Sequence, residues 1–199
     1  MFVRMPSEKL QTIAAFLIDA ERLKLVERKA YVSDVSRREN SAEHSWHLAL
    51  GLLTIARELE LPIDLPKALT MAIIHDLCEI DAGDTPAYGP ARADQHEAER
   101  QCIERLAAHG LKFGAEMRAL WLEYEAQETL ESRWVKVLDR VMPFVVNLAC
   151  EGRNWQEQSI RRSQLLKINE PVRQHAPEIF TWMVSRIDEC VRKGWLIDG

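Results

Sequence analysis

Apolar residues recur at helical spacing through most of the chain, and no stretch gives a convincing strand. Leu10, Ile13, Phe16 and Leu17 share one face of a helix that Ser7 caps and that runs to about Leu23. Residues 27–39, ERKAYVSDVSRRE, are polar and irregular and read as a loop. Asn40 or Ser41 can cap a helix from Ala42 to about Leu59, with Leu48, Leu52, Ile55, Ala56 and Leu59 on one side. Asp64 is placed to cap the next helix, and Pro66 falls in its first turn, where a missing N–H costs nothing. That helix, 65–77, is apolar almost all round, which predicts a central, buried position. Gly83, Pro86, Gly89 and Pro90 make 81–93 a loop. Helices follow at about 94–109, 113–125 and 130–150. Gly110 ends the first of these, and Pro143 should kink or split the last. Two more fit roughly 156–172 and 177–193. The expectation is an all-α fold, a single domain of seven or eight helices.

Composition narrows the classes without naming a function. The 199 residues fit one domain, and 47% apolar with 29% charged residues is ordinary globular usage. A formal net charge of -5 gives no bulk electrostatic case for binding nucleic acid or a membrane. Cys78, Cys102, Cys150 and Cys190 form no C-x-x-C pair, which argues against structural zinc and a disulfide framework. Reduced thiols in a cytoplasmic protein are the simple reading. The opening stretch MFVRMPSEKLQTIAAF lacks the uninterrupted apolar core of a secretory leader. No apolar run approaches the roughly 20 residues that span a bilayer.

Candidate chemistry concentrates where the central helix ends. Its apolar run stops at His75-Asp76, and Glu79 and Asp84 follow within one loop's length. Imidazole nitrogen with carboxylate oxygen suits divalent metals of intermediate hardness. Adjacent His75 and Asp76 differ by about 100° around a helix axis, so both reach one ion only where the helix end points at it. His44 lies in the first turn of its helix. Asp139 interrupts an apolar face formed by Val135, Leu138 and Met142 and would be costly to bury alone. Helix geometry leaves its partner open between Lys136, Arg140 and a metal ion.

His44, the pair His75–Asp76 and the distal Asp139, in that order on helices, resemble the H…HD…D signature of the HD-domain metal-dependent phosphohydrolases. The strings ENSAEHSW at 39–46, LEYE at 122–125 and KVLD at 136–139, with Glu79 and Gly83-Asp84, resemble the 5′-deoxynucleotidase branch of that family over roughly residues 10–150. The resemblance implies hydrolysis of deoxynucleoside 5′-monophosphates to deoxynucleoside and phosphate, with one divalent cation such as Co²⁺, Mn²⁺ or Mg²⁺. Carried over, His44, His75, Asp76 and Asp139 are the metal ligands, and Glu79 and Asp84 share the acid–base work. An arginine near the phosphate is also implied, with Arg28 the first choice and Arg37 and Arg38 behind it. A homodimer is the family expectation. Residues 151–199 match no motif and are expected to pack on the ligand core.

Each feature also has a plainer interpretation. Lys136, one turn before Asp139, offers either a salt bridge or a phosphate contact. Trp46 is close enough to His44 to line a pocket, or else belongs to a core or interface. His47 reads as a neighbouring polar histidine, and His96, His109 and His175 sit among charges. Asp81 reads as a loop or capping acid, and Cys78 as packing unless a soft metal recruits it. Competing functions are an enzyme of the same family acting on a triphosphate, cyclic nucleotide or guanosine polyphosphate, and a non-enzymatic metal-binding regulatory module. A ferritin-like di-iron bundle fails on pattern, because no histidine has a glutamate three residues before it.

Overall fold

The computed structural model describes residues 7–89 and 94–199. The chain begins with α1 (Ser7–Glu21) and a single 3₁₀ turn (Arg22–Leu25). A short hairpin follows, β1 (Glu27–Tyr31) and β2 (Arg38–Asn40), before α2 (Ser41–Glu58) and α3 (Leu65–Ile74). Next come the single-turn α4 (Glu79–Ala82), α5 (Gln95–Ala107), α6 (Lys112–Ala126) and α7 (Leu130–Ala149). The chain closes with α8 (Arg153–Glu157), α9 (Arg162–Ile168), α10 (Glu170–His175) and α11 (Pro177–Arg192). The fold is all-α. Among the described residues, its seven or eight expected helices correspond to seven elements of ten residues or more, with short turns of helix between them.

Three local expectations need correction. Segment 27–39 is not a loop: β1 and β2 pair antiparallel, Glu27 opposite Asn40 and Tyr31 opposite Arg38, with an irregularity between. Apolar alternation could not reveal this hairpin, because polar contacts hold it. Arg38 stacks 3.8 Å over the Tyr31 ring and pairs with Glu157 at 2.8 Å. Pro143 does not split its helix, since α7 runs unbroken from Leu130 to Ala149. The expected helix at 156–172 is three short ones. Ser159 takes a positive φ of 52°, Arg161 is extended and bridges Ile197, and Pro171 opens α10.

The core lies where α2, α3 and α7 pack together, with α6 on one side and α10 on another. Leu48 and Leu52 of α2, Met71 and Ala72 of α3, Met117 and Trp121 of α6, and Val135 and Leu138 of α7 are all buried there. Each fully buried Leu or Met contributes roughly 1.5–3 kcal/mol relative to an exposed one. The central placement expected of α3 holds.

Helix ends then set the site. Asn40 caps α2 by accepting the Glu43 N–H at 3.0 Å, while the Glu43 carboxylate accepts the Asn40 N–H at 3.1 Å. This fixes the start of α2 and turns His44, 1% exposed, inward. Asp64 caps α3 by accepting the Lys67 N–H at 3.1 Å. Past Ile74 the backbone tightens: Leu77 N–H bonds Ile74 C=O at 3.0 Å and Glu79 N–H bonds Asp76 C=O at 2.9 Å. These three-residue steps replace the four-residue steps of an α-helix. They end α3 three residues earlier than the apolar pattern suggests and bring His75, Asp76 and Glu79 to one cavity.

Candidate metal centre and its cavity

His44 from α2, His75 and Asp76 from the end of α3, and Asp139 from α7 converge. The donor atoms of His44, His75 and Asp76 all lie within 4.8 Å of one another. Asp139 Oδ1 is 3.2 Å from His44 Nε2 and 4.0 Å from His75 Nε2. His75 Nε2 is 3.0 Å from Asp76 Oδ1, and His44 Nε2 is 4.0 Å from Asp76 Oδ2. Donors about 2.1 Å from one octahedral ion stand about 3.0 Å apart when adjacent and about 4.2 Å when opposite. The observed spacings fall in that range.

The histidines are prepared for a cation. His75 Nδ1 donates to the Ala72 carbonyl at 2.8 Å, which leaves Nε2 as the bare lone pair. That Nε2 is buried and has no hydrogen-bond partner. A buried polar atom without a partner, turned toward carboxylates, fits a metal ligand better than a structural histidine. Burial, and then the charge of Arg28, push the His44 pKa down and favour the neutral ring that can coordinate.

The two oxygens of Asp139 divide the work that the sequence left open. Oδ1 faces His44, while Oδ2 accepts from Tyr124 Oη at 3.1 Å and from Lys136 Nζ at 3.1 Å. Burial pushes this carboxyl up, but the Lys136 ammonium and the His44 bond outweigh it and hold Asp139 well below the usual carboxylate range. The salt bridge to Lys136 and the place beside the histidines therefore coexist. Pro143, four residues on, also lacks the N–H that would bond the Asp139 carbonyl.

Around these groups lies a layer of acid gathered on one cation. Arg28 Nη1 is 3.2 Å from Asp76 Oδ2, 3.4 Å from Asp84 Oδ1 and 3.9 Å from Glu79 Oε1. Its Nε is 3.5 Å from Glu39 Oε2. Burial, and then the charge of Asp76, push Glu79 well above its ordinary pKa, although Arg28 and a 2.5 Å bond from Ser41 Oγ oppose the shift. Burial also raises Asp84, and it raises Glu39 to about 7, in each case against Arg28. Five carboxyl groups thus surround Arg28 and Lys136. A divalent cation held among them would relieve the mutual repulsion that helps raise Glu79, Asp84 and Glu39.

Of the residues given a site role from sequence, Arg28, His75, Asp76, Glu79, Asp84, Lys136 and Asp139 line the cavity of about 440 Å³, whereas His44 is buried behind them and does not line it. The remaining arginines and the tryptophan are elsewhere. Arg37 pairs with Glu43 at 2.6 Å on the surface, and Arg38 is held by Tyr31 and Glu157. Trp46 is 66% exposed and stacks on His47. None of the three lines the cavity. Cys78 is packing: its Sγ–H donates to the His75 carbonyl at 3.3 Å, and burial pushes the thiol well above its usual pKa.

Glu39, Ser41 and Tyr124 touch site residues and were not assigned from sequence. Glu39 precedes a helix cap, a position that suggests exposure. It lies on β2, where the hairpin brings Arg28 of β1 to 3.5 Å from its carboxylate. Ser41 and Tyr124 act only through contacts distant in sequence.

An inward-facing histidine, a His-Asp turn after a buried helix, and an aspartate on a third helix define the HD-domain class. The HD-domain family profile matches residues 20–180, and the chain belongs to that family. A crystal structure described as a predicted metal-dependent phosphohydrolase of Magnetospirillum magnetotacticum superposes with a TM-score of 0.89 at 34% identity, over 98% of this chain and 100% of that one. Two similar relatives are 5′-deoxynucleotidases. HDDC2 of Danio rerio is 26% identical over 86% of this chain and 84% of its own length. hdd1 of Schizosaccharomyces pombe is 26% identical over 98% of this chain and 91% of its own. No helix among the described residues is long and apolar enough to cross a membrane.

Proposed function

We propose that this protein is a divalent-metal-dependent phosphomonoesterase that hydrolyses deoxynucleoside 5′-monophosphates to deoxynucleoside and orthophosphate. One observation carries the reading: the buried His75 Nε2, without a hydrogen-bond partner, among His44, Asp76 and Asp139. The names of the 5′-deoxynucleotidase relatives supply the substrate class. One domain spanning the chain, working in the cytoplasm as a homodimer, completes the proposal.

His44, His75, Asp76 and Asp139 would hold the cation, which supplies Lewis-acid relief of the charge developing on phosphorus. The protein's own groups do the rest. Arg28, 14% exposed and held among carboxylates, offers its guanidinium to the phosphate. Lys136 keeps Asp139 ionised through its contact with Oδ2. Glu79 and Asp84 share the proton transfers: one carboxylate takes the proton of the attacking water, and one acid returns a proton to the departing 5′ oxygen. Ser41 orients Glu79 through its hydrogen bond.

The test is direct. Metal is removed by chelation, Co²⁺, Mn²⁺ or Mg²⁺ is restored, and products are measured from 5′-mono-, 5′-tri- and cyclic nucleotides. Orthophosphate from deoxynucleoside monophosphates, dependent on the ion, supports the proposal. Pyrophosphate or triphosphate release would move the substrate to another nucleotide. A bound ion with no turnover would make the protein a metal-binding regulatory module.

A further inference from the structure

The far wall of the cavity comes from residues that no motif had marked. Among the described residues, seven buried side-chain nitrogen or oxygen atoms lack a hydrogen-bond partner. Six of them belong to residues lining this one cavity: Arg28, His75, Thr85, Gln95, Arg140 and Asn169. Native proteins pair nearly all buried polar atoms, so such a concentration points to a polar ligand.

Asn169 is the most informative. It is 2% exposed and stands at the junction of α9 and α10. Its Nδ2 donates to the Leu165 carbonyl at 2.8 Å. A carbonyl accepts only from the nitrogen end of an amide, so this bond fixes which end is which. Oδ1 is left as a buried acceptor without a donor. Leu165, Ile168 and Phe144 line the same cavity and give it an apolar wall. Phe144 follows Asp139 by five residues on α7, a rise of about 7.5 Å along the axis. The apolar wall and the metal centre thus share one cavity, offset from each other along α7. Arg140, whose Nε is an unpaired donor, lies between them in sequence.

We propose that this wall is a nucleobase subsite, in which Asn169 Oδ1 accepts an N–H of the base and Arg140 Nε faces an acceptor on it. The proposal rests on the nucleotide reading above. A sugar 3′-hydroxyl could also donate to Asn169. A flat base suits the Phe144, Leu165 and Ile168 surface better than a hydroxylated sugar does.

The test compares wild type with Asn169→Leu on three substrates: thymidine 5′-monophosphate, its 3′-deoxy analogue and 2-deoxyribose 5-phosphate. The expected result is a ten- to hundredfold lower kcat/KM on both base-bearing substrates, with the base-free sugar phosphate unchanged. Equal loss on all three, or no loss on any, overturns the proposal. Loss on thymidine 5′-monophosphate and 2-deoxyribose 5-phosphate, with the 3′-deoxy analogue spared, assigns Asn169 to the sugar 3′-hydroxyl and overturns the base contact. A second measurement needs neither a variant nor turnover. Thymidine, which has no phosphate, is titrated into ¹⁵N-labelled wild-type protein, and the Asn169 side-chain amide resonances should shift as it binds. Unmoved Asn169 resonances up to millimolar thymidine would refute the subsite. Shifted resonances in a protein that releases no phosphate from any nucleotide would keep the subsite and remove the phosphatase.

Discussion

At the scale of single residues, the site is ordered by partners outside the ligand set. Ala72 fixes the tautomer of His75, and Tyr124 with Lys136 fixes one oxygen of Asp139. Losing such support typically costs a metal site 10–100-fold in affinity, so Tyr124→Phe should weaken metal binding by about tenfold in a competition titration. Asp139→Ala should abolish it. Glu79→Ala should keep the metal content and lower kcat by about 10²-fold or more, the usual worth of a positioned acid or base. A fully active Glu79→Ala enzyme would remove Glu79 from proton transfer. That His44, His75, Asp76 and Asp139 would come together could be read in the sequence because their types and order are distinctive. Glu39, Ser41 and Tyr124 could not, since each matters only through a neighbour remote along the chain. Arg37, Arg38 and Trp46 were the opposite case: nearness in sequence to His44 or Arg28 did not bring them to the cavity.

At the scale of elements, caps and periodicity placed the long helices correctly. Polar pairing and backbone turns were harder to see. The hairpin is the clearest case, because the pairing that brings Arg28 to Glu39 rests on charged and stacked side chains. The docking of α1 on α5 is similar. Asp19 of α1 meets Arg105 of α5, Arg22 at 3.1 Å and His109 Nε2 at 3.0 Å. Burial raises the Asp19 carboxyl, but the bonds to His109, Arg105 and Arg22 outweigh it and lower its pKa from 3.8 to about 2. A folded pKa below the unfolded one stabilises fully above the unfolded value and is lost as pH falls through the folded one. Asp19→Asn should therefore lower the unfolding free energy at pH 7, by about 1 kcal/mol once the solvent screening of its half-exposed arginine partners is allowed for. In urea titrations that difference should shrink steadily as pH falls from about 4 toward 2. A difference independent of pH would mean that charge at Asp19 does not hold the two helices together.

At the scale of the whole molecule, the candidate ligands sit on or at the end of three helices that form the core, so the site inherits the rigidity of the packing. The family and the all-α class could be read from the chain because HD chemistry is written in a few ordered residues on strongly periodic helices. Residues 151–199 resisted, since short helices broken at Ser159, Arg161 and Pro171 leave little periodicity to follow. They nonetheless supply the Leu165, Ile168 and Asn169 wall of the cavity. A second cluster, His96, Glu99 and Glu125, also has donor atoms within 4.8 Å of one another, but it is more exposed. The most direct test distinguishes the two clusters: a crystal grown with Co²⁺ or Mn²⁺, with an anomalous difference map collected at the metal's absorption edge. The account predicts the strongest peak between His44 Nε2, His75 Nε2, Asp76 and Asp139. A map with no peak there, or with its only strong peak beside His96, Glu99 and Glu125, would contradict it.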